Sequence, residues 1–292
     1  MPHVNANEIL IDARNRKYGA LSLLGGNLEM VVGLVKGAEE QRAPLILVYN
    51  EDVTPKAPME LVVPMLVNAA ERATVPVATI LDHGRSLEHV VRAIRLGASS
   101  VMFDGSHLPY EENVAQTAEI ARVAHAVGVD VEAELGSIAG SAVTLGDSGP
   151  EASFTDPDVA ADFVERTKAD VLAISFGNVH GVYQGEPQLD LDRVREIHAR
   201  IDIPLAMHGA SGLAYDQYRK VVEAGISKIC YYTSMGIGAS NDIRRMLVEA
   251  GEDADRGRSG AVYHEIISRG IDYFHAETKR LIDMVGYAGV VT

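Results

Sequence analysis

Several ionisable side chains in this 292-residue chain stand where an apolar run ends. In the stretch TILDHGRS, residues 79–86, the apolar run leads directly into Asp82 and His83. Four further residues follow later apolar runs in the same way: Asp104, Glu134, His180 and His208. Imidazole nitrogens and carboxylate oxygens together suit zinc or a similar divalent ion. If the fold brings these side chains together, they indicate a metal site.

Taken one at a time, these residues also have simpler interpretations. Asp82 would serve equally well as the N-cap of a helix, and His83 as an ordinary loop histidine with a hydrogen-bond partner. The metal hypothesis therefore depends on the elements that carry the six residues, and on whether the ends of those elements meet.

Short apolar and β-branched runs recur along the chain, separated by stretches with helical spacing of apolar residues. Eight such runs cover residues 18–25, 44–50, 76–82, 99–105, 129–135, 169–175, 203–209 and 227–233. Strands that are apolar on both faces and alternate with helices indicate a parallel sheet. We therefore predict a single (β/α)8 barrel domain over residues 1–292, with a C-terminal helical extension at about 255–285. The alternative is a doubly wound sheet, but no G-x-G-x-x-G follows any of these runs.

Such a barrel carries its functional residues at the carboxyl ends of its strands, on one face. All six ionisable residues fall at these ends, so we predict that they converge at one mouth. Gly84 is predicted to let the backbone turn away after the Asp82–His83 pair.

The pattern also predicts details of two helices. Helical spacing puts four residues of the helix after the first strand on one buried stripe: Leu28, Val31, Val32 and Val35. The helix near residue 157 is predicted to have Thr155 as its N-cap and Pro157 in its first turn.

Composition limits the partners. The net charge of −15 argues against nucleic acid or an anionic membrane as a partner. We find no apolar run of membrane-spanning length and no signal-peptide pattern at the N-terminus, and the single cysteine fits a reducing compartment. A cytoplasmic protein is therefore expected. A phosphorylated substrate stays compatible with the charge, because backbone N–H groups bind anions locally.

Five motifs together resemble the class II, zinc-dependent fructose- and tagatose-bisphosphate aldolases. They read LDHG (81–84), SSVMFDGSHLPYEENV (99–114), VEAELG (131–136), AISFGNVHGVYQGEPQLDLDRV (173–194) and LAMHGASGL (205–213). The resemblance implies reversible retro-aldol cleavage of a ketose 1,6-bisphosphate of the fructose or tagatose type, or of a related ketose phosphate. The products would be dihydroxyacetone phosphate and an aldehyde, formed through a zinc-stabilised enediolate. A homodimer or homotetramer is also expected.

The resemblance further implies a role for each site residue. The catalytic Zn²⁺ would be held by His83, His180 and His208. Glu134 and Asp104 would be further metal ligands or partners of the ligands, and Asp82 would exchange a proton with the C4 hydroxyl. The substrate and its phosphate would be bound by Gly181, Gly209, Ser211, Cys230 and Thr233, with a monovalent cation nearby.

Lysine Schiff-base chemistry is not expected. Lys168, Lys220 and Lys228 are predicted in helices or at strand starts, away from the catalytic rim.

Several positions depart from the family pattern. Ser22, Leu23 and Leu24 stand where the family has AFN, and Cys230 stands where an asparagine is usual. The acids of the loop after strand 5 are replaced by Ser141, Ala142 and Val143, with Asp147 or Glu151 as candidate substitutes, and Gln184 replaces a lysine.

The metal ligands are thus retained while the substrate contacts change, which favours a changed substrate over an inactive protein. We expect weak use of fructose 1,6-bisphosphate. Of Tyr231 and Tyr232, alternation along the strand predicts that one points inward, unless both pack against helices. An isomerase or epimerase of a sugar phosphate and a non-catalytic metal-binding homologue remain as alternatives.

Overall fold

The computed structural model describes residues 2–140, 153–181, 183, 185–253 and 258–291. Its strands are β1 (Ala20–Leu24), β2 (Leu45–Tyr49), β3 (Val77–Gly84), β4 (Ser100–Phe103), β5 (Asp130–Leu135), β6 (Ala139–Gly140), β7 (Val171–Ile174), β8 (Val179–His180), β9 (Leu205–Met207), β10 (Ile226–Tyr231), β11 (Glu252–Asp253) and β12 (Arg258–Ser259). Its helices are α1 (Ala6–Arg16), α2 (Leu28–Glu40), α3 (Met59–Arg72), α4 (Leu87–Arg95), α5 (Tyr110–His125), α6 (Pro157–Thr167), α7 (Leu191–Arg200), α8 (Tyr215–Ala224), α9 (Thr233–Ala250) and α10 (Tyr263–Val285).

Eight of the strands close into a parallel barrel in the order β1-β10-β9-β7-β5-β4-β3-β2. The barrel strands correspond one to one to the eight predicted apolar runs. They are buried on both faces because side chains fill the interior and helices cover the outside. The predicted (β/α)8 barrel is confirmed.

The buried face of α2 differs from the predicted stripe. Leu28 and Val32 are exposed to 60% and 41% of their surface, although Val31 is buried as predicted. Gly33 and Gly37 lie instead directly against α10, so that a Cβ at either position would meet atoms of that helix. The predicted stripe assumed that α2 packs only on the barrel. Because α10 also covers α2 from outside, the prediction was wrong for Leu28 and Val32.

The N-cap of α6 is also one residue away from the prediction. The side chain of Asp156 accepts hydrogen bonds from two backbone N–H groups of the first turn, which begins at Pro157. Thr155 is buried, donates to the carbonyl oxygen of Leu135 at 2.5 Å and accepts from the backbone N–H of Ser175 at 2.9 Å. Thr155 therefore connects two barrel strands and does not cap the helix.

The C-terminal extension is a single long helix that begins later than predicted. α10 starts at Tyr263, and β11 and β12 pair antiparallel before it. Residues 254–257 lie outside the described part of the chain. None of the described helices is long and apolar enough to cross a membrane.

Candidate metal centre and active site

A cavity of about 750 Å³ opens at the carboxyl ends of the barrel strands, a size typical of small-molecule sites. All eleven residues predicted from the sequence line it: Asp82, His83, Asp104, Glu134, His180, Gly181, His208, Gly209, Ser211, Cys230 and Thr233. The expected convergence at one mouth is therefore observed.

An irregularity at the end of β3 brings two neighbouring side chains into this cavity. The register against β4 shifts between Leu81 and Gly84, and His83 has a left-handed backbone with φ of 50°. Such a bulge re-aims side chains that would otherwise alternate between opposite faces. As a result His83 Nε2 lies 3.8 Å from Asp82 Oδ2.

Gly84 has a different task from the predicted one. Its φ is not positive, and the change of direction takes place at His83. A Cβ at Gly84 would collide with the carbonyl oxygen of Met102. Glycine is needed here because β4 passes too close for any side chain.

The three predicted histidines form a compact group. Their ring centroids are 4.8 Å apart for His83 and His208, 5.1 Å for His83 and His180, and 5.8 Å for His180 and His208. One ligand atom of each lies within 4.8 Å of those of the other two, and His83, Asp104 and Glu134 satisfy the same distance. This donor set, nitrogen with some oxygen, fits zinc.

Two buried polar atoms at this place fit the binding of a metal ion or a substrate. His180 Nε2 and Glu134 Oε2 are buried and have no hydrogen-bond partner among the described residues. Leaving such an atom unsatisfied costs about 1–3 kcal/mol. A metal ion between the imidazoles would satisfy the nitrogen, and the Glu134 oxygen is placed to join it or to bind substrate.

His180 is positioned by structure outside the barrel strands. It ends β8, a two-residue strand that pairs with β6. The buried amide of Asn178 donates to the carbonyl oxygens of Ile174 and His208, which ties the segment before His180 to the end of β9. Asn178 was not singled out from the sequence, because a buried asparagine has no spacing signal of its own.

Beneath the histidines lies a buried ion pair that was also missed. His208 Nε2 is 2.8 Å from Glu132 Oε1, and Lys228 Nζ donates to Glu132 Oε2 at 2.5 Å. All three side chains are almost fully buried. Lys228 does not line the cavity at the rim, but its side chain lies in the barrel below the mouth, where it holds Glu132. Its spacing of two from Cys230 was the available signal.

Glu132 Oε2 is thus bound by Lys228, and His208 Nε2 is bound by Glu132 Oε1. Since Nε2 of His208 is engaged by Glu132, Nδ1 is the nitrogen that remains for a metal. On the other side, Asp104 Oδ2 lies 2.8 Å from His83 Nδ1, so Nε2 of His83 remains. Each of these two histidines therefore has a carboxylate partner that orients its ring.

Asp82 is held by one oxygen only. Asn50 Nδ2 donates to Asp82 Oδ2 at 3.1 Å, while the side-chain oxygen of Asn50, Oδ1, accepts from the backbone N–H groups of Asp52 and Val53. Asp82 Oδ1 is buried and has no partner among the described residues. One carboxylate oxygen is thus fixed and the other is free to face a substrate.

The electrostatics of the cavity keep Asp82 ionised. Burial opposes its charge, but the neighbouring His83 and His208 lower the pKa of Asp82 to about 2. Burial opposes charge on His83 as well, yet Asp82 and Asp104 raise the pKa of His83 to about 9. For His180, burial lowers the pKa to about 3, so this imidazole is neutral. Metal binding must therefore release protons from the group.

Glu134 differs from the other carboxylates of the site. Burial and the negative charge of Asp104 raise the pKa of Glu134 to about 7. A carboxyl group that titrates near neutrality is able to carry a proton during a reaction.

The wall formed by the ends of β9 and β10 is suited to an anion. Gly209 has φ of 67°, and a Cβ there would collide with the carbonyl oxygen of Val179. Ser211 Oγ accepts from the backbone N–H groups of Tyr232 and Ser234, both at 3.3 Å, where α9 begins. A helix N-terminus beside small residues offers N–H groups and a positive partial charge to a phosphate.

The two tyrosines after Cys230 both border the cavity. Tyr231 packs against Tyr218 of α8, with ring centroids 6.5 Å apart. The ring of Tyr232 lies beside Gly236 of α9. Both rings therefore pack against helices, the alternative considered for them. Cys230 also lines the cavity, and it is among the groups that raise the pKa of His208 against the effect of burial.

Other departures from the family pattern have mixed outcomes. Ser22 and Leu24 line the cavity, and Leu23 is fully buried elsewhere. The remaining positions, Ser141, Ala142, Val143, Asp147, Glu151 and Gln184, lie outside the described part of the chain.

Comparison with known proteins identifies the class to which this fold and site belong. A sequence model of the class II fructose-bisphosphate aldolases matches residues 4–290. The chain belongs to the class II fructose-bisphosphate aldolase family, as its motifs suggested, and is therefore a lyase.

Individual relatives agree with this placement. The chain is 37% identical over 258 residues to a protein named "Probable fructose-bisphosphate aldolase" from Bacillus subtilis strain 168, covering 87% of this chain and 90% of that one. It is 31% identical to the YdjI aldolase of Escherichia coli K12, whose crystal structure superposes with a TM-score of 0.85 over 99% of this chain and 100% of that chain. Fructose-bisphosphate aldolase from Campylobacter jejuni, 17% identical, shares the fold with a TM-score of 0.78 over 98% of this chain and 96% of that chain.

Proposed function

We propose that this aldolase is zinc-dependent and cleaves a ketose phosphate between C3 and C4 into dihydroxyacetone phosphate and an aldehyde. The observation that carries the proposal is the group of three imidazoles beside the ionised carboxylate of Asp82. Asp82 Oδ2 lies 3.8 Å from His83 Nε2, and the other carboxylate oxygen has no partner among the described residues. A metal held by these imidazoles would be adjacent to the proton acceptor, which the cleavage of a carbon–carbon bond next to a hydroxyl requires.

The residues that would hold the zinc ion are His83, His180 and His208. Glu134 lies where it would complete the ligand set, and Asp104 would act through its hydrogen bond to His83. When bound, zinc acts as a Lewis acid that stabilises negative charge on the oxygens of the three-carbon ketone fragment.

Asp82 would take the proton of the C4 hydroxyl through its free oxygen. The C4 oxygen then becomes a carbonyl as the C3–C4 bond breaks, and the electron pair of that bond stays on the three-carbon fragment. Asp147 and Glu151 are the candidates to supply the proton that C3 gains afterwards.

The phosphate of the three-carbon fragment would bind the wall of Gly181, Gly209, Ser211 and Thr233, with Cys230 beside it. A monovalent cation near this phosphate, a homodimer or homotetramer, and a cytoplasmic location are further parts of the proposal. No role with nucleic acid or membranes is proposed.

The decisive experiment is product analysis with metal-replete enzyme over a panel of ketose mono- and bisphosphates that contains both fructose and tagatose forms. An aldolase releases two fragments, detected by enzymatic assay of dihydroxyacetone phosphate. An isomerase or epimerase would leave the carbon count unchanged. Bound metal without consumption of any sugar phosphate would contradict catalysis and favour a binding protein.

A further inference from the structure

The carboxylate of Asp82 is oriented by one neighbouring side chain. The amide of Asn50 donates to Asp82 Oδ2, and His83 Nε2 lies 3.8 Å from the same oxygen. Asp82 Oδ1 is buried and has no partner among the described residues. Oδ2 is therefore occupied from two sides, and Oδ1 is the oxygen that a substrate hydroxyl would meet.

The surroundings of the Asn50 amide allow it one orientation. Its Oδ1 accepts from the backbone N–H groups of Asp52 at 3.0 Å and of Val53 at 3.3 Å. A turned amide would place its oxygen against the Asp82 carboxylate and its own N–H groups against two other donors. Asn50 is only 7% exposed, so water cannot relieve such a mismatch at low cost. Asn50 therefore always presents a donor to Asp82.

The segment that carries Asn50 is itself held in place. The backbone carbonyl oxygen of Asn50 accepts from the backbone N–H of Thr54 at 3.2 Å and from its hydroxyl at 2.9 Å. The methyl group of Thr54 lies against Gly26, where a Cβ would come within 2.6 Å of it. The hydroxyl of Tyr49 donates to the carbonyl oxygen of Ala57 at 3.1 Å. The donor for Asp82 is thus in position before a substrate binds.

A single reactive oxygen has a stereochemical consequence. In the condensing direction, C3 of the three-carbon fragment attacks the aldehyde carbon that becomes C4, and the aldehyde oxygen takes its proton from Asp82. If this oxygen must meet Oδ1, the aldehyde hydrogen and the remaining carbon chain share the two positions left at C4. The chain must take the one that leads to the open mouth, because buried side chains fill the barrel below. Attack then occurs on one face of the aldehyde.

We propose that Asn50 is a positioning residue that, through Asp82, selects the configuration of the substrate at C4. Fructose and tagatose differ at this carbon alone, so the choice between these two forms would depend on Asn50. Without Asn50 the carboxylate is free to turn, either oxygen can meet the aldehyde oxygen, and both faces react. This inference rests on the proposed function and adds a determinant of its specificity.

The test is the ratio of the two C4 epimers formed in condensation. Zinc-loaded enzyme is given dihydroxyacetone phosphate with D-glyceraldehyde or its 3-phosphate, and the products at low conversion are dephosphorylated and separated by chromatography. We expect wild type to form one C4 epimer in large excess, and Asn50→Leu to reduce this excess about tenfold or more, the factor for a hydrogen bond to a charged group. An unchanged ratio, or a wild type without C4 preference, would overturn the inference while the aldolase function stood. No condensation by wild type would contradict the proposed function itself.

An isosteric variant distinguishes the donor from the space that it fills. Asn50→Asp keeps an acceptor for the N–H groups of Asp52 and Val53 but places a carboxylate against Asp82. It should lose the C4 preference as Asn50→Leu does, and the ratio does not depend on how much of either variant is folded. A wild-type ratio in Asn50→Asp would show that Asn50 only fills space, which contradicts the proposal.

A double variant tests whether Asn50 acts through Asp82. Asn50→Leu should lower kcat about tenfold in the wild-type background and should have no further effect on Asp82→Ala, because the residue through which it acts is gone. Losses that multiply would contradict a positioning role. Asn68→Leu is the matched control, since Asn68 is an exposed asparagine of α3 that accepts from Arg72 on the same helix. It should change neither kcat nor the epimer ratio, and an equal change there would overturn the assignment to Asn50.

Discussion

At the scale of single residues, the two carboxylate oxygens of Asp82 have different roles: one is fixed by a hydrogen bond and the other is available to a substrate. Asn50 fixes one oxygen and the loop that follows β2 fixes Asn50. The sequence made Asp82 a candidate because it is an acid beside a histidine at a strand end. It gave no sign of Asn50, since the contact joins Asp82 on β3 to the residue that follows β2, far apart in the sequence.

Replacement of Asp82 by alanine tests its role as proton acceptor. Asp82→Ala should lower kcat by about 10²–10⁴, the usual contribution of a general acid or base. The zinc content, measured by atomic absorption, should stay at the wild-type level because the histidines are untouched. If zinc and activity fell together, Asp82 would be a structural residue.

Removal of Lys228 tests the buried ion pair below His208. Lys228→Met leaves Glu132 charged and buried without its cation, which should cost about 3–5 kcal/mol of unfolding free energy. Glu132→Gln/Lys228→Met removes both charges and should recover most of that stability.

Zinc affinity separates positioning from simple stability in the same variants. Both variants should bind zinc roughly 10–100-fold more weakly than wild type. In Lys228→Met, Glu132 loses the lysine that holds it, and in the double variant His208 loses its carboxylate partner. Lys220→Met, which breaks an exposed pair on α8, is the control and should change neither quantity appreciably. Wild-type zinc affinity in the double variant would show that Glu132 does not position His208.

At the scale of elements, helix α10 explains the one helix face that was predicted wrongly. Periodicity in α2 reports only which residues are apolar, and both Leu28 and Val32 are. Gly33 and Gly37 mark the face that packs against α10, because the absence of a side chain permits close approach of a second helix. The bulge at His83 was equally hidden, since it depends on how β3 meets β4 and not on the residues of β3 alone.

Two glycine substitutions with opposite expected signs test this packing. A Cβ at Gly33 would lie 2.6 Å from the carbonyl oxygen of Ile271, so Gly33→Ala should destabilise the protein by about 1–3 kcal/mol. Gly270 of α10 has nothing within 4 Å of a built Cβ, so Gly270→Ala should stabilise by about 0.5–1 kcal/mol. Chemical denaturation measures both. Equal effects would mean that α10 does not pack on α2 this closely.

The start of β5 gives a prediction of pH dependence. Burial and the negative charges of Asp170 and Glu8 raise the pKa of Asp130 to about 6, against hydrogen bonds from Asn5 and Asn7. Between pH 4 and 6 the folded protein therefore holds a proton that the unfolded chain has released. The stabilising contribution of this proton is lost as the pH rises through 6.

The difference between wild type and Asp130→Asn isolates this effect from all other titrating groups. Relative to wild type, the unfolding free energy of Asp130→Asn should rise by about 1–2 kcal/mol from pH 4 to pH 7.5, after allowance for partial exposure of the carboxylate. Any constant offset reports the altered hydrogen bonds. A difference that does not vary with pH would contradict the raised pKa.

At the scale of the whole molecule, the barrel could be predicted because its signal is repeated eight times and each unit is consistent with the others. The site could be predicted as far as the strands determine it, since the carboxyl ends of parallel strands share one face. His180 could be predicted from its residue type and the surrounding motif, although it lies on the small β6–β8 sheet and not on a barrel strand. What supports the ligands from below or from the side, as Glu132 does, depends on contacts across the barrel.

Metal removal should be visible in the stability of the entire chain. Zinc that binds the folded state alone stabilises it by about 2.7 kcal/mol at a hundredfold excess over Kd. Dialysis against a chelator should therefore lower Tm and abolish activity, and added zinc should restore both. A chelated, metal-free protein with full activity and unchanged Tm would contradict the zinc assignment.

The chain has one cysteine, and the fold places it in the wall of the cavity beside His208. Thiol-directed reagents consequently have a single target, without any engineered substitution. A fluorophore or nitroxide attached there would report from within the cavity. Protection of the same thiol from labelling would give a titration curve for any small molecule that occupies the cavity, whether or not it reacts.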